Sequence, residues 1–355
     1  MISVGLIGCG DVAERGHVPA LMHHRKFRIV AICDLVPQRF EAVAKLVGNV
    51  PCYADWRRML EAEKLDAVVI ALPPEISTDV AIACLDQNLA VLDEKPLAAT
   101  LADGQRLARR VRERKQVYQS GFVLRYGDWV RGIGRLTASL GAPLRIKAEV
   151  YDERWNPNDT IHFSRIQSFL KNSTALTHEG SHVVDYASLW NASPWTSVSA
   201  FAQKTSPTFR GPNIWSAEVE LTDLSKLTVK VGWLLPELPQ SFVSIEGPAG
   251  SLYFNCVTGH GEYQLEAEQR RLAFPPTAPE WQRQYDTFAT AIDRGHAEAA
   301  TVNDALRALE ITTAGELSVQ QGMRITRADL YRYTASQVVD RGHDSTTRLG
   351  NSLSA

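Results

Sequence analysis

The run Thr177-His178-Glu179-Gly180-Ser181-His182-Val183-Val184-Asp185 contains the string H-E-x-x-H. On a helix, that spacing sets two histidines on one face as zinc ligands, with the glutamate as the general base of a metalloprotease. Three features argue against that chemistry. Gly180 inside such a helix would cost about 1 kcal/mol relative to alanine. The extended H-x-x-G-x-x-H continuation of the metzincins does not follow His182. The chain also carries a glycine loop of the nucleotide-binding kind, which a protease does not need. No metal is expected at these histidines.

That loop is Gly8-Cys9-Gly10-Asp11-Val12-Ala13, a G-x-G-x-x-A string. It follows an apolar run (Ile2 to Ile7) and precedes helical periodicity, the context in which such a string carries meaning. Gly8 allows a tight turn and Gly10 lets the backbone approach a pyrophosphate. The small Ala13 lets the helix pack on the strand, and the helix start faces the phosphates. Asp34 ends the next apolar run, 21 residues after Ala13. An acid there accepts from the ribose hydroxyls of NAD and repels a 2′-phosphate. Leu35, Val36 and Pro37 bring no basic residue, so NAD is expected over NADP.

A further group is Asp93-Glu94-Lys95-Pro96, at the end of a fourth apolar run. Ligands of open parallel sheets bind at that end of the strands. Lys95 would serve there as proton shuttle or as donor to a substrate oxygen, or stand as an ordinary loop lysine.

The elements that must position these residues read as follows. Strands at 2–7, 28–34, 65–72, 89–92 and 116–122 alternate with helices at 14–24, 37–48, 56–63, 75–88 and 101–115. Short apolar strands alternating with helices imply a parallel sheet covered on both faces, a doubly wound α/β domain over residues 1–122. Beyond it, strands at 144–151, 197–203, 217–221, 226–233 and 242–246 alternate apolar with polar residues. They imply an α+β domain with a large open-faced mixed or antiparallel sheet over 123–335. Helices at 162–171, 178–190, 280–294 and 301–321 accompany it, with a loop at 204–216. The polar residues 336–355 read as a frayed tail.

Bulk properties narrow the function. A chain of 355 residues suggests about two domains. Thirty-eight basic against forty acidic residues give no electrostatic case for nucleic acid or an anionic membrane. Five widely spaced cysteines argue against a disulfide framework and for a reducing, cytoplasmic setting. No apolar run is long enough to span a membrane, and a strand starting at Ile2 leaves no room for a signal peptide.

Together, GLIGCGDVAERGHVPAL, DEKPLA, GFVLRY and EGSHVVD resemble the glucose–fructose oxidoreductase/inositol dehydrogenase (Gfo/Idh/MocA) family. The resemblance runs from residue 2 to about 325. It implies a Rossmann domain followed by an α+β domain whose sheet builds a homodimer or homotetramer. It also implies NAD(P)-dependent oxidation of a secondary sugar or cyclitol alcohol, or the reverse reduction. Lys95 matches the lysine of the family's E-K-P motif, beside Glu94 and the nicotinamide. His182 matches the acid/base histidine of D-x-G-x-H-x-x-D, with Asp185 as its last member. His178 stands where that motif has its first aspartate, which changes the proton inventory around the substrate. Leu72-Pro73 stand where the family has T-P-N-x-x-H, so that cofactor-side region is altered.

For substrate contact, Arg125 and Tyr126 follow the fifth strand, and Arg154-Trp155-Asn156 follow the first strand of the second domain. Aromatic residues stack on sugar faces, and arginine and asparagine bind hydroxyls; Trp155 reads equally as a core or interface residue. Two rival readings remain from the sequence. One is a redox-neutral epimerase or glycoside-cleaving enzyme using transient NAD oxidation. The other is a non-enzymatic NAD- and sugar-sensing regulator.

Overall fold

The computed structural model describes residues 1–274 and 280–336. The expected tail at 336–355 lies, but for its first residue, outside the described residues.

Apolar runs build the first sheet: β1 Ile2–Ile7, β2 Phe27–Cys33, β3 Cys52–Tyr53, β4 Ala67–Ile70, β5 Ala90–Asp93 and β6 Tyr118–Ser120. All pairs are parallel, in the order β3-β2-β1-β4-β5-β6. Every residue of β4 is inaccessible, as expected for strands covered on both faces. Successive side chains diverge to the two faces: Ala67 and Val69 join one core cluster, Val68 and Ile70 the other.

The helices of this half are α1 Val18–His23 (entered through a wide π turn, Ala13–His17), α2 Pro37–Val47, α3 Trp56–Ala62, α4 Pro74–Asp86 and α5 Leu101–Arg114. Proline at the first position opens α2 and α4, where its missing N–H costs nothing. The Thr100 hydroxyl caps α5 by accepting from the Asp103 N–H at 3.2 Å.

Residues after 122 form α6 Asp128–Thr137, α7 Thr160–Asn172, α8 Ser181–Trp190, α9 Glu280–Arg294 and α10 Val302–Gln321. The second sheet holds β7 Arg145–Tyr151, β8 Trp195–Gln203, β9 Ile214–Leu221, β10 Lys226–Gly232, β11 Phe242–Gly247, β12 Gly250–Asn255, β13 His260–Leu265, β14 Glu268–Ala273 and β15 Ile325–Thr326. Its order is β14-β13-β12-β11-β7-β10-β9-β8-β15, parallel only between β7 and β10. One face packs on helices; β8 and α10 meet there through the Ser318 hydroxyl, which accepts from the Ala200 N–H. The other face is open and carries Phe201, Ser216, Lys230, Glu149 and Phe242 in one cross-strand row. β13 and β14 escape a reading by alternation because both their faces are largely wet.

Helix α9 lies within 123–335, yet it packs on the first domain. Tyr285 and Phe288, fully buried, join the cluster of Val4, Leu6 and Ile32, each contributing about 2 kcal/mol by apolar burial. Gly16 makes the docking possible, since a Cβ there would sit 2.4 Å from the Trp281 ring. An amphipathic pattern shows that a helix packs, not which domain it packs on.

Candidate active site

The glycine loop leaves β1 with Gly8 at φ +96°, where a Cβ would stand 2.2 Å from the Ala71 carbonyl oxygen. Only glycine serves at that turn. Gly10 has nothing within 4 Å of its Cβ position, so the loop's outer side is open. Ala13 is fully buried against the sheet. Asp34 accepts from the Cys9 N–H and the Val36 N–H, each at 2.8 Å. These bonds hold its carboxylate beside the loop. Val12 is exposed, and Leu72, which with Pro73 follows β4, brings its side chain to 3.2 Å from the Cβ position of Gly8. Glycine cradle, buried alanine and fixed acid together fit a dinucleotide.

The strand β5 delivers the second component. Asp93 at its end is fully buried and accepts from the Tyr118 hydroxyl at 3.1 Å. Burial holds its carboxyl well above the usual carboxylate range. Glu94 turns inward: its Oε1 lies 3.1 Å from His17 Nε2, and His17 Nδ1 lies 2.7 Å from the Tyr285 hydroxyl. A Cβ on Gly121 would approach that Oε1 to 2.4 Å. Glu94, expected at the cofactor, thus faces the His17 ring in this structure. Lys95 then projects the other way. Its Nζ donates to the His178 carbonyl at 3.4 Å and stands 3.8 Å from Glu179 Oε1.

The third component comes from the second domain. Leu176–Gly180 form a wide π turn that runs into α8, a geometry that re-aims side chains and recurs at functional sites. His178 and His182 thus straddle a junction instead of repeating along one regular helix. The His178 ring sits 5.2 Å from that of Phe169 and 5.5 Å from that of Trp233. His182 is buried against Phe122, and its Nδ1 has no hydrogen-bond partner among the described residues. Burial, then the Lys95 charge, pushes His178 down to about 3 and His182 well below the usual imidazole value. Both imidazoles are neutral at pH 7. Burial raises Glu179 against the pull of Lys95. Among the described residues, no group of three or more His, Cys, Asp or Glu gathers as a metal site.

A stability measurement follows from His178. Its folded value lies below the unfolded one, so the unfolded chain takes up the proton first as pH falls. The stability of the wild type relative to His178→Phe, whose ring suits the same aromatic pocket, should therefore be flat above pH 6.5. Below it, the wild type should lose ground by at most about 1.4 kcal/mol per pH unit, down to about pH 3. Urea melts at several pH values measure it; a difference that does not change with pH would show that His178 is freely hydrated.

The structure separates the remaining expected substrate residues. Arg125 is buried on Asp185: Nε donates to Oδ2 at 3.0 Å and Nη2 to Oδ1. Its Nη1 reaches Asp304 at 3.4 Å, the acid that closes the capping box of α10. Burial draws the guanidinium down, but the two carboxylates outweigh it and hold it above its ordinary value. Tyr126 is buried as well, and its carbonyl accepts from Arg283 at 3.0 Å. Arg125, Tyr126 and Asp185 are thus all buried, with Arg125 and Asp185 paired to each other. Arg154 and Trp155 lie outside, on an open cavity of about 760 Å³ lined also by Asp152, Glu153, Asn156 and His162.

The sequence model of the Gfo/Idh/MocA family, described as an oxidoreductase family with an NAD-binding Rossmann fold, matches residues 2–122. The first domain resembles that family along its whole length. Inositol 2-dehydrogenase of Salmonella typhimurium is 30% identical over 156 residues, 42% of this chain and 46% of the relative. The aligned stretch thus spans under half the length of that curated relative. Fold likeness reaches across both domains. Scyllo-inositol dehydrogenase from Lactobacillus casei, solved with NAD(H) and scyllo-inositol, gives a TM-score of 0.77 at 16% identity, covering 92% of this chain and 99% of that one. A 3-ketoreductase from Actinomadura kijaniata, solved with TDP-benzene and NADP, gives 0.75 at 20% identity, covering 90% and 98%.

Two residues beside the expected site were not singled out by sequence reasoning. Glu179 was weighed as the glutamate of H-E-x-x-H and quoted within EGSHVVD, yet its Oε1 stands 3.8 Å from Lys95 Nζ. Arg165 reaches the glycine loop from α7 and pairs with Asp11. No local pattern marks either one.

Proposed function

We propose that the protein is an NAD(P)-dependent oxidoreductase that interconverts a secondary alcohol and a ketone on a sugar, cyclitol or sugar derivative. The observation that carries this reading is the meeting of Lys95, from the first domain, with the His178–His182 segment of the second. It occurs beyond the strand ends of the parallel sheet, where ligands of such sheets bind. Gly8, Gly10 and the Asp34 carboxylate would hold the dinucleotide. When bound, its nicotinamide supplies the hydride acceptor or donor.

The chain's own groups do the proton work. His182, neutral at pH 7, accepts the hydroxyl proton of an alcohol or returns it to a ketone. Lys95 stabilises negative charge developing on that oxygen. Trp155 and Arg154 line the cavity that would receive the rest of the substrate. Asp34, followed by Leu35 and Val36, favours NAD over NADP through repulsion of a 2′-phosphate. The open sheet face, with Phe201 67% exposed, supports a homo-oligomer built through that sheet. Free cysteines support a reducing compartment, and among the described residues no helix is long and apolar enough to cross a membrane.

The test is nicotinamide absorbance when protein meets NAD⁺ or NADP⁺ with a panel of sugars, cyclitols and glycosides, a metal chelator present throughout. Growth of the reduced-nicotinamide signal supports the reading and begins to name the substrate. No signal with any alcohol, and none in reverse with the matching ketones, would remove it. One variant isolates the cofactor cradle. A Cβ at Gly10 meets no described atom within 4 Å, so Gly10→Ala should melt as wild type does, yet it should weaken dinucleotide binding by roughly a hundredfold, because the added group stands where the pyrophosphate approaches the backbone. Unchanged binding by fluorescence titration would place the dinucleotide elsewhere.

A further inference from the structure

Arg165 lies on α7 and reaches from the second domain to the glycine loop of the first. Its Nη1 pairs with Asp11 Oδ2. Its Nη2 lies 3.3 Å from Glu153 Oε2 and 3.3 Å from His162 Nδ1. Guanidinium can only donate, so His162 Nδ1 accepts and its proton sits on Nε2, which lies 3.4 Å from Glu153 Oε2. Among the described residues, the polar partners of Arg165 are three acceptors: Asp11, Glu153 and His162. Glu153 itself is held at φ +52°, an unfavourable conformation for a residue with a side chain. Its N–H donates to Asp152 at 2.7 Å and its carbonyl accepts from Leu234 at 2.9 Å.

The pair is costly in one place and useful in another. Asp11 directly follows Gly10, whose open side is the approach for a diphosphate. A bare carboxylate there repels that anion, and Glu153 adds to the repulsion. The pair cannot be there chiefly for stability, since Arg165 is 39% and Asp11 52% exposed, and pairs so exposed contribute little to folding. We propose that Arg165 is a positioning residue of the dinucleotide site: by pairing with Asp11 it cancels the negative charge at the mouth of the glycine loop and so admits a diphosphate. This rests on the dinucleotide reading above.

The experiment titrates wild type, Arg165→Ala, Asp11→Asn and the double variant with NAD⁺, ADP-ribose and adenosine, at low and high salt. Arg165→Ala should melt as wild type does. It should weaken NAD⁺ and ADP-ribose by about tenfold or more at low salt, with the loss shrinking as salt screens the exposed carboxylate. Adenosine, which has no phosphate, should bind unchanged. Asp11→Asn placed on Arg165→Ala should restore ADP-ribose affinity, because the uncompensated charge is gone. Equal affinity of Arg165→Ala and wild type would overturn the proposal. So would a loss that Asp11→Asn does not repair, or one that adenosine shares. Wild type that binds none of the dinucleotides would bring down the dinucleotide reading itself, and this inference with it.

Discussion

Turnover of His182→Asn should fall by about a thousandfold, the middle of the range for a positioned acid/base group, while dinucleotide affinity stays near that of wild type. Asparagine keeps a polar side chain of similar reach in a buried place but cannot take up a proton. The effect should lie in kcat rather than KM, because proton transfer matters only on the way to the transition state. The pH profile adds a second readout. Burial and the Lys95 charge hold His182 well below the usual imidazole value. The base form is therefore intact at neutral pH, and the acid limb of wild type should lie well below the ordinary imidazole range. A variant that turns over at the wild-type rate would remove His182 as the acid/base. An acid limb centred near 6.5 would show that the imidazole is hydrated, against its burial.

The second large effect concerns stability. Arg125→Leu should cost about 3–5 kcal/mol, because it leaves the Asp185 carboxylate buried without its partner. Arg125 bonds to residues 60 and 179 positions away, on α8 and α10. The change therefore loosens the helix that carries His182 from the element behind it. The double variant Arg125→Leu/Asp185→Leu should recover much of the loss, since two apolar side chains need no pairing. Denaturant melts read both. A loss under about 1 kcal/mol, the worth of an exposed pair, would show that the guanidinium is solvated and free for a ligand.

These two residues show how unevenly the site was legible. His182 and Arg125 both stood in motif-like strings, GFVLRY and EGSHVVD. A string tells which side chain is present, not which way it is spent. The His182 Nδ1 has no partner among the described residues; Arg125 is paired with Asp185 and Asp304. Glu94 and Lys95 are neighbours in one motif, yet one braces His17 and the other reaches the second domain. The strand–helix order of the first domain was legible because burial on both faces demands unbroken apolar runs. The edge hairpin of β13 and β14 was not, because wet faces impose no such demand.

By itself, then, the sequence determined what is governed by near neighbours. The Gly8 turn needs a residue without a side chain, the parallel strands need apolar runs, and strand length sets the place of Asp34. Asp34 itself directly follows β2. Tertiary structure alone decided which groups share a space. It brought α9 onto the first core, set Glu179 beside Lys95, buried Arg125 on Asp185 and laid Arg165 on Asp11 across 154 residues. The physical reason is range. Backbone conformation and periodic burial act over a few residues and leave a pattern in the chain. A charge acts on whatever stands within a few ångström, and folding chooses that neighbour from anywhere in the sequence.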